Sequence, residues 1–118
     1  MFRITKIIKH KDWEEFKIKG VLSEDSLINE GFIHCSFFNQ SIEVANKYFK
    51  NESEVLLLIL NPELITEEIK YEKASNGQEY PHIYGPLNIG SVIEIVPFVK
   101  SAEGFFNLPN EISTGYKF

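Results

Sequence analysis

The sequence predicts an α+β domain in which a mostly antiparallel sheet system is combined with two helices from the N-terminal half of the chain. Its length of 118 residues suits one domain. Helical spacing of apolar residues is confined to the first half of the chain, and extended patterns dominate the second half. We therefore expect residues 1–118 to fold as a single domain of this class.

Two segments of the first half have helical spacing. In His10–Lys19, aromatic residues recur at near-helical intervals among lysines and glutamates, and Gly20 follows as a C-cap. The second predicted helix is N-capped by Asn39 or Ser41 and ends near Asn51, with its apolar residues mostly on one side. Both segments are therefore expected to pack one face against a core.

The strands are predicted from alternating or uninterrupted apolar residues. They cover residues 2–5, 32–36, 55–60, 69–74, 81–86 and 91–100. The segment 55–60 is wholly apolar but far shorter than the ~20 residues that span a bilayer, so we expect a buried strand. Residues 23–26 are predicted to be a polar connector, 61–64 a turn or one helical turn, and 75–77 a turn.

Charge and cysteine content limit the classes of partner. The net charge of -5 disfavours strong binding to nucleic acid or to an anionic membrane, and no particular protein partner is indicated. The single Cys35 excludes an internal disulfide and a thiolate zinc site. The N-terminus lacks the apolar stretch that export requires. We therefore expect a cytoplasmic location.

Alternation along three of the strands suggests a binding site. Side chains two residues apart on a strand share a face, so three polar pairs are predicted: Arg3 with Thr5, His34 with Ser36, and His82 with Tyr84. If the strands adjoin, these pairs form one polar wall. Arginine binds phosphate through two parallel hydrogen bonds, imidazole and hydroxyl groups bind ribose, and tyrosine stacks on heterocycles. The wall would suit a planar ligand that carries phosphate.

Each of these residues also has a structural interpretation. A histidine beside a strand is more often a satisfied core or edge residue than a catalyst. Tyr84 could pack over the turn that follows it, and Ser36 could cap the next helix. Two acidic residues upstream of His82, Glu72 and Glu79, could approach the wall as a base, although most such side chains are solvated surface charges.

Two other kinds of site are disfavoured. Cys35 shares the face of Ile33 and should be buried, and its neighbour His34 points to the opposite face, so a catalytic Cys–His pair would need a bulge. A metal site built from His34 and His82 with Glu72 or Glu79 matches no known ligand spacing, so no metal is expected.

Two short motifs carry a family resemblance. GFIHCS at residues 31–36 and PHIYGP at residues 81–86 lie about half the chain apart, and together they closely resemble the DUF952 family of small bacterial proteins of unknown function. The likeness extends from the opening strand to residues 103–109 and includes Trp13 and Glu72. It covers nearly the whole chain.

The resemblance implies a fold akin to ADP-ribosyltransferases, in which a split antiparallel sheet system opens a cleft for NAD. Residues 33–36 also look like the His-Leu-Ser region of RNA 2′-phosphotransferases. Arg3 stands where the family usually has a histidine, a position that in related transferases contacts the NAD ribose. An arginine there can bind a phosphate instead.

The function implied by the resemblance is binding of NAD, ADP-ribose or another phosphorylated nucleoside in a histidine-lined cleft. Transfer chemistry would require a carboxylate, Glu72 or Glu79, to stabilise positive charge on the ribose. The alternative is a non-catalytic module that uses the same residues to recognise a small metabolite or a partner surface.

Overall fold

The computed structural model describes residues 3–107. Within this range the chain forms, in order, β1 (Ile4–Ile8), α1 (His10–Lys19), β2 (Val21–Leu22), α2 (Asp25–Glu30), β3 (Ile33–His34), β4 (Ser36–Phe37), α3 (Ser41–Tyr48), β5 (Glu54–Leu60), β6 (Ile69–Lys73), β7 (Glu79–Ile83), β8 (Leu87–Asn88) and β9 (Val92–Val99). Short 3-10 helices cover Phe38–Gln40, Pro62–Leu64 and Ile89–Ser91. No helix in this part of the chain is long and apolar enough to cross a membrane.

The strands form three antiparallel sheets. The largest has the order β4-β1-β5-β9, the second has the order β3-β7-β6, and β2 pairs with β8. The chain passes from the second sheet to the first at Cys35, because β3 pairs with β7 whereas β4 pairs with β1. The α+β class with antiparallel sheets is confirmed.

The apolar strand β5 lies between two hydrophobic clusters. Leu56, Leu58 and Leu60 belong to one cluster, which also contains residues of β1 and α1 and the inner side of the three-stranded sheet. The alternate residues of β5 belong to the other cluster, together with Ala45 of α3 and Phe98 of β9. All residues from 55 to 60 are buried, so the uninterrupted apolar run is explained by burial on both faces.

The three-stranded sheet is apolar on one face only. Ile33 of β3 and Ile83 of β7 are directly opposite each other and fully buried in the first cluster. Because successive side chains on a strand alternate, the neighbouring His34 and His82 are on the other face. The packing of the isoleucines therefore turns this pair of histidines away from the core.

Most element predictions agree with the structure. Helix α1 has the predicted bounds and ends at Gly20, whose φ of 76° is left-handed. Helix α3 ends at Tyr48, earlier than the expected Asn51. The turn predicted at 61–64 contains a 3-10 helix that begins with Pro62, as expected.

Three predictions need correction. The polar connector expected at residues 23–26 overlaps the start of helix α2, which begins at Asp25. This helix has only six residues, too few to show a clear apolar period. The single strand expected at 32–36 is divided into β3 and β4, because its two halves pair with different partners. The opening strand runs from Ile4 to Ile8, and Phe2 lies outside the described residues. All five residues of this strand are buried, so it shows no simple alternation.

The end of α2 depends on Gly31, which adopts a φ of 91° and donates its N–H to the carbonyls of Ser26 and Leu27, both at 3.1 Å. Since a left-handed conformation costs a residue with a Cβ atom about 1–2 kcal/mol, Gly31→Ala should lower the free energy of unfolding by roughly that amount. Urea denaturation would measure it. Gly90→Ala is the control, because Gly90 has no positive φ and the nearest atom to its added Cβ is at 3.7 Å. An equal loss in both variants would contradict this explanation.

Candidate functional site

The outer face of the three-stranded sheet carries a cluster of polar and aromatic side chains. The register places His34 opposite His82, His82 opposite Lys70, and Glu72 opposite Tyr80. Phe32 stacks on the His82 ring, and Tyr84 contacts Phe32 and donates a hydrogen bond to Glu72. We call this surface the histidine face; it comprises Phe32, His34, Lys70, Glu72, Tyr80, His82 and Tyr84.

Glu72 binds two other members of the histidine face through one carboxylate oxygen. Its Oε1 accepts a hydrogen bond of 2.5 Å from the Tyr84 hydroxyl and lies 2.8 Å from Nδ1 of His82. These hydrogen bonds, the one from Tyr84 above all, lower the pKa of Glu72 below its ordinary 4.5. An ionised carboxylate can only accept, so Nδ1 of His82 carries the proton. In the neutral ring, Nε2 is then the unprotonated nitrogen.

The hydrogen bond between Tyr84 and Glu72 also keeps the tyrosine in its neutral form. The hydrogen bond to Glu72, with a further contribution from burial, raises the pKa of Tyr84 to about 12. Lys70 lies above this ring, with its Nζ 4.5 Å from the ring centroid. Tyr84 is therefore a hydrogen-bond donor to Glu72 at neutral pH and acts as a support for the carboxylate.

His34 has a carboxylate partner of its own. Its Nε2 lies 3.0 Å from Oε2 of Glu30, the last residue of α2. The side chain of His34 is 51% exposed, whereas that of His82 is only 11% exposed. The two imidazoles therefore differ in environment, one being close to solvent and the other enclosed by the sheet.

Ring contacts hold the two imidazoles together. Phe32 stacks on His82 with a centroid distance of 4.0 Å and an interplanar angle of 17°, and it meets His34 edge-on at 4.9 Å. The rings of His34 and His82 are 5.3 Å apart and nearly perpendicular. Phe32 thus restricts both rings at once.

A cavity of about 510 Å³ lies between the histidine face and helix α3. His34, His82 and Tyr80 line it from the sheet, and Lys47 and Tyr48 line it from the helix. Its volume lies in the range of small-molecule sites, and its lining combines aromatic rings with polar and charged groups, which include the carboxylates of Glu30 and Glu43. Such a lining is able to bind a ligand that has both a flat apolar part and a polar part.

A buried lysine also lines this cavity. Lys6, in the middle of β1, donates hydrogen bonds to a carboxylate oxygen of Glu24 and, over 2.8 Å, to the carbonyl oxygen of His34. Its side chain is almost wholly buried, and Glu24 supplies the opposite charge that such burial requires. The lysine links the backbone at His34 to the first sheet.

The eight site residues predicted from the sequence do not all lie at one site in the structure. His34, Ser36 and His82 line the cavity, whereas Glu72 and Tyr84 share the histidine face without lining it. The two remaining ligand-binding residues, Arg3 and Thr5, do not line it either. The three polar pairs do not form one wall, because β1 and β4 belong to a different sheet from β3 and β7.

The other predicted residues have other surroundings. The Thr5 hydroxyl is buried and donates to the carbonyl oxygen of Ser36 over 3.2 Å, which ties β1 to β4. Arg3 is half-buried just before β1. Glu79 is exposed and alternates with Tyr80 and His82 along β7, so its side chain is on the opposite face of the strand.

Cys35 is buried, as predicted. Burial raises the pKa of its thiol to about 12, so the thiolate needed for nucleophilic catalysis does not form at neutral pH. Among residues 3–107, no group of three or more potential metal-binding side chains is brought together.

Several residues of the site are not predicted from the sequence, among them Phe32, Lys47, Glu30 and Lys6. Glu30 was not considered because α2 was not predicted, although its position four residues before His34 was visible. Lys6 is not predicted because the expected opening strand ends at Thr5, whereas β1 continues to Ile8 and buries the lysine. Its position between Thr5 and the apolar Ile7 and Ile8 was the only signal of burial.

Comparisons with known proteins identify a family and solved structures of one relative. A family model described as "Protein of unknown function (DUF952)" matches residues 7–95. The crystal structure of protein CC0527 from Caulobacter crescentus is 29% identical, with a TM-score of 0.80, and the match covers 89% of this chain and 93% of that one. Its solution NMR structure is 30% identical, with a TM-score of 0.77 and coverage of 89% and 91%. No curated protein matches.

Because the pKa of Glu72 is lowered, the contribution of its ionised carboxylate to stability can be tested by varying the pH. A carboxyl group whose pKa is lower in the folded than in the unfolded protein stabilises the fold at pH values above its unfolded-state pKa, which is near 4.5 here. That stabilisation is lost as the pH drops through the folded-state pKa. The stability difference between the wild type and Glu72→Gln should therefore shrink as the pH falls from about 5.5 to about 3. Urea denaturation at each pH would measure it.

Glu79→Gln is the matched control, since Glu79 is on the opposite face of the neighbouring strand and its side chain is exposed. This variant should differ little from the wild type at any pH in that range. A Glu72→Gln difference that stays constant with pH would show that the ionised carboxylate does not support the histidine face.

Proposed function

The chain belongs to the DUF952 family of proteins of unknown function, and we propose that it binds a phosphorylated nucleoside in the cavity between the histidine face and α3. The observation that carries the proposal is the position of His34 and His82, side by side at 5.3 Å and both lining this cavity. NAD and ADP-ribose are the first ligands to test, because the family resemblance implies a fold akin to ADP-ribosyltransferases.

The polar lining supports recognition of the sugar and phosphate groups. Nε2 of His82 has no hydrogen-bond partner among the described residues, so it is able to accept from a ribose hydroxyl. Lys47 is exposed at the cavity and carries a positive charge that can meet a phosphate. The net charge of the whole chain is -5, so phosphate binding depends on such local cations.

The aromatic lining supports recognition of the base. Tyr48 of α3 and Tyr80 of β7 approach the cavity from opposite sides, and Phe49 also lines it. Aromatic side chains stack on heterocyclic bases with little sequence preference, at about 1–3 kcal/mol per base. A nucleoside would place its base among these rings and its phosphate towards Lys47 and the imidazoles.

The proposal is restricted to binding in the first instance. Glycosyl transfer would require a carboxylate beside the ribose, and neither carboxylate predicted from the sequence lines the cavity. Glu72 is bonded to His82 and Tyr84, and Glu79 is on the opposite face of β7. Arg3 has no part in the proposal, since it does not line the cavity either. We expect the binding to take place in the cytoplasm, in keeping with the single cysteine.

The rival proposal is a non-catalytic module that recognises an unphosphorylated metabolite or a protein surface. It uses the same rigid hydrogen-bonded face but needs no cation at the cavity. The two proposals therefore differ in whether the phosphate contributes to affinity.

Ligand-observed NMR with NAD, ADP-ribose, AMP and adenosine would test the proposal directly. We expect the phosphorylated compounds to bind and adenosine to bind more weakly. Lys47→Gln should weaken binding of the phosphorylated ligands about tenfold, which is the lower end for losing a hydrogen bond to a charged group. Chemical-shift titration of the labelled protein would give the affinities.

Lys73→Gln is the control for this variant, because Lys73 is exposed and does not line the cavity. It removes the same charge from the protein and should leave the affinities unchanged. Binding of adenosine as tight as that of AMP would favour the rival module, and no binding of any of the four compounds would overturn the proposal.

A further inference from the structure

We propose that His82 and His34 act as a general base and a general acid that hydrolyse a nucleoside 2′,3′-cyclic phosphate. This inference rests on the proposed function, since it places a phosphorylated nucleoside at the same cavity. It goes further by naming the bond that is broken and the role of each imidazole. The two catalytic residues are the pair that the register of β3 and β7 places opposite each other.

The hydrogen bonds of His82 suit it to the role of base. Its Nδ1 donates to the ionised Glu72 over 2.8 Å, which leaves Nε2 of the neutral ring without a proton. Phe32 stacks on the ring at 4.0 Å and limits its rotation. Glu72 is a positioning residue, because it acts through the orientation and tautomer of His82.

The surroundings of His34 suit it to the role of acid. Its side chain is half exposed, so it exchanges protons with solvent, and Glu30 lies 3.0 Å from its Nε2. When the ring is protonated, Nε2 donates to Glu30 and Nδ1 carries a second proton. That proton is available to a leaving oxygen while Nε2 stays bound to Glu30.

The distance between the rings matches a reaction at a single phosphorus atom. Hydrolysis of a phosphodiester requires one proton to leave the nucleophile and another to reach the departing oxygen. The centroids of the two imidazoles are 5.3 Å apart. The two rings are in edge-to-face contact, so a phosphate would lie across both of them, with one reacting oxygen towards each ring.

The step balances with water as the only co-reactant. Water attacks phosphorus while Nε2 of His82 takes one of its protons. The bond from phosphorus to one ribose oxygen breaks, and His34 gives its Nδ1 proton to that oxygen. The product is a nucleoside 2′- or 3′-monophosphate, and the proton passes from His82 back to His34 through solvent.

Charge and size favour a small cyclic ester over a longer nucleic acid. The chain has a net charge of -5, which repels a polyphosphate backbone. The cavity has about 510 Å³, enough for a mononucleotide-sized ligand. Lys47 at its edge would offset charge on the phosphate oxygens.

The experiment measures hydrolysis of the four common nucleoside 2′,3′-cyclic phosphates in ¹⁸O-labelled water by ³¹P NMR. We expect at least one to be converted to a monophosphate that contains one ¹⁸O atom. His34→Gln and His82→Gln should each lower the rate at least about 100-fold, as is usual for loss of a general acid or base.

His10→Gln is the matched control, because His10 lies on α1, pairs with Glu54 and does not line the cavity. Its rate should equal that of the wild type. The His34 side chain is half exposed, so His34→Gln should not disturb folding. This variant therefore tests the proposal even if His82→Gln does not fold. A His34→Gln rate equal to that of the wild type would overturn the proposal, as would absence of turnover by the wild type.

Binding of the cyclic phosphates is followed by ligand-observed NMR on the same samples. Binding without turnover would overturn the acid–base inference and leave the proposed function standing. Absence of binding by these compounds and by the linear nucleotides would overturn both.

Discussion

The burial of β5 on both of its faces determines where the other elements lie. Residues 55 to 60 are all apolar and all buried, so the strand must have a packed layer on each side. Helix α3 contributes to one cluster, and α1 contributes to the other together with Ile33 and Ile83. Because those isoleucines are the inner residues of the three-stranded sheet, the outer face of that sheet is left to polar and aromatic groups.

The histidine face is a network in which each polar group limits the freedom of the next. Tyr84 and His82 both donate to one oxygen of Glu72, and Phe32 contacts both imidazoles. An enclosed imidazole such as His82 would destabilise the folded protein if its ring nitrogens had no hydrogen-bond partner. The carboxylate provides one partner, and the other nitrogen is left for a ligand. The arrangement therefore allows a polar pair to lie next to a tightly packed core.

Local patterns predicted the parts of the fold that depend on local interactions. The helix ending at Gly20 and the buried strand β5 followed from spacing and composition, and alternation correctly placed His82 and Tyr84 on one face. Non-local pairing decided the rest. The division at Cys35 arises because β3 and β4 pair with strands far apart in the chain, which no local pattern reveals. Short helix α2, with the Glu30 that meets His34, depends on its tertiary setting in the same way.

Glu72 holds His82 in the tautomer with the proton on Nδ1, and the geometry of the histidine face depends on this contact. Long-range ¹H–¹⁵N NMR correlations of the labelled protein at about pH 8, where an ordinary imidazole is neutral, identify the tautomer directly. We expect a protonated Nδ1 and an unprotonated Nε2 for His82 in the wild type, and loss of this preference in Glu72→Gln. A proton on Nε2 of His82 in the wild type, or an unchanged spectrum in the variant, would contradict it.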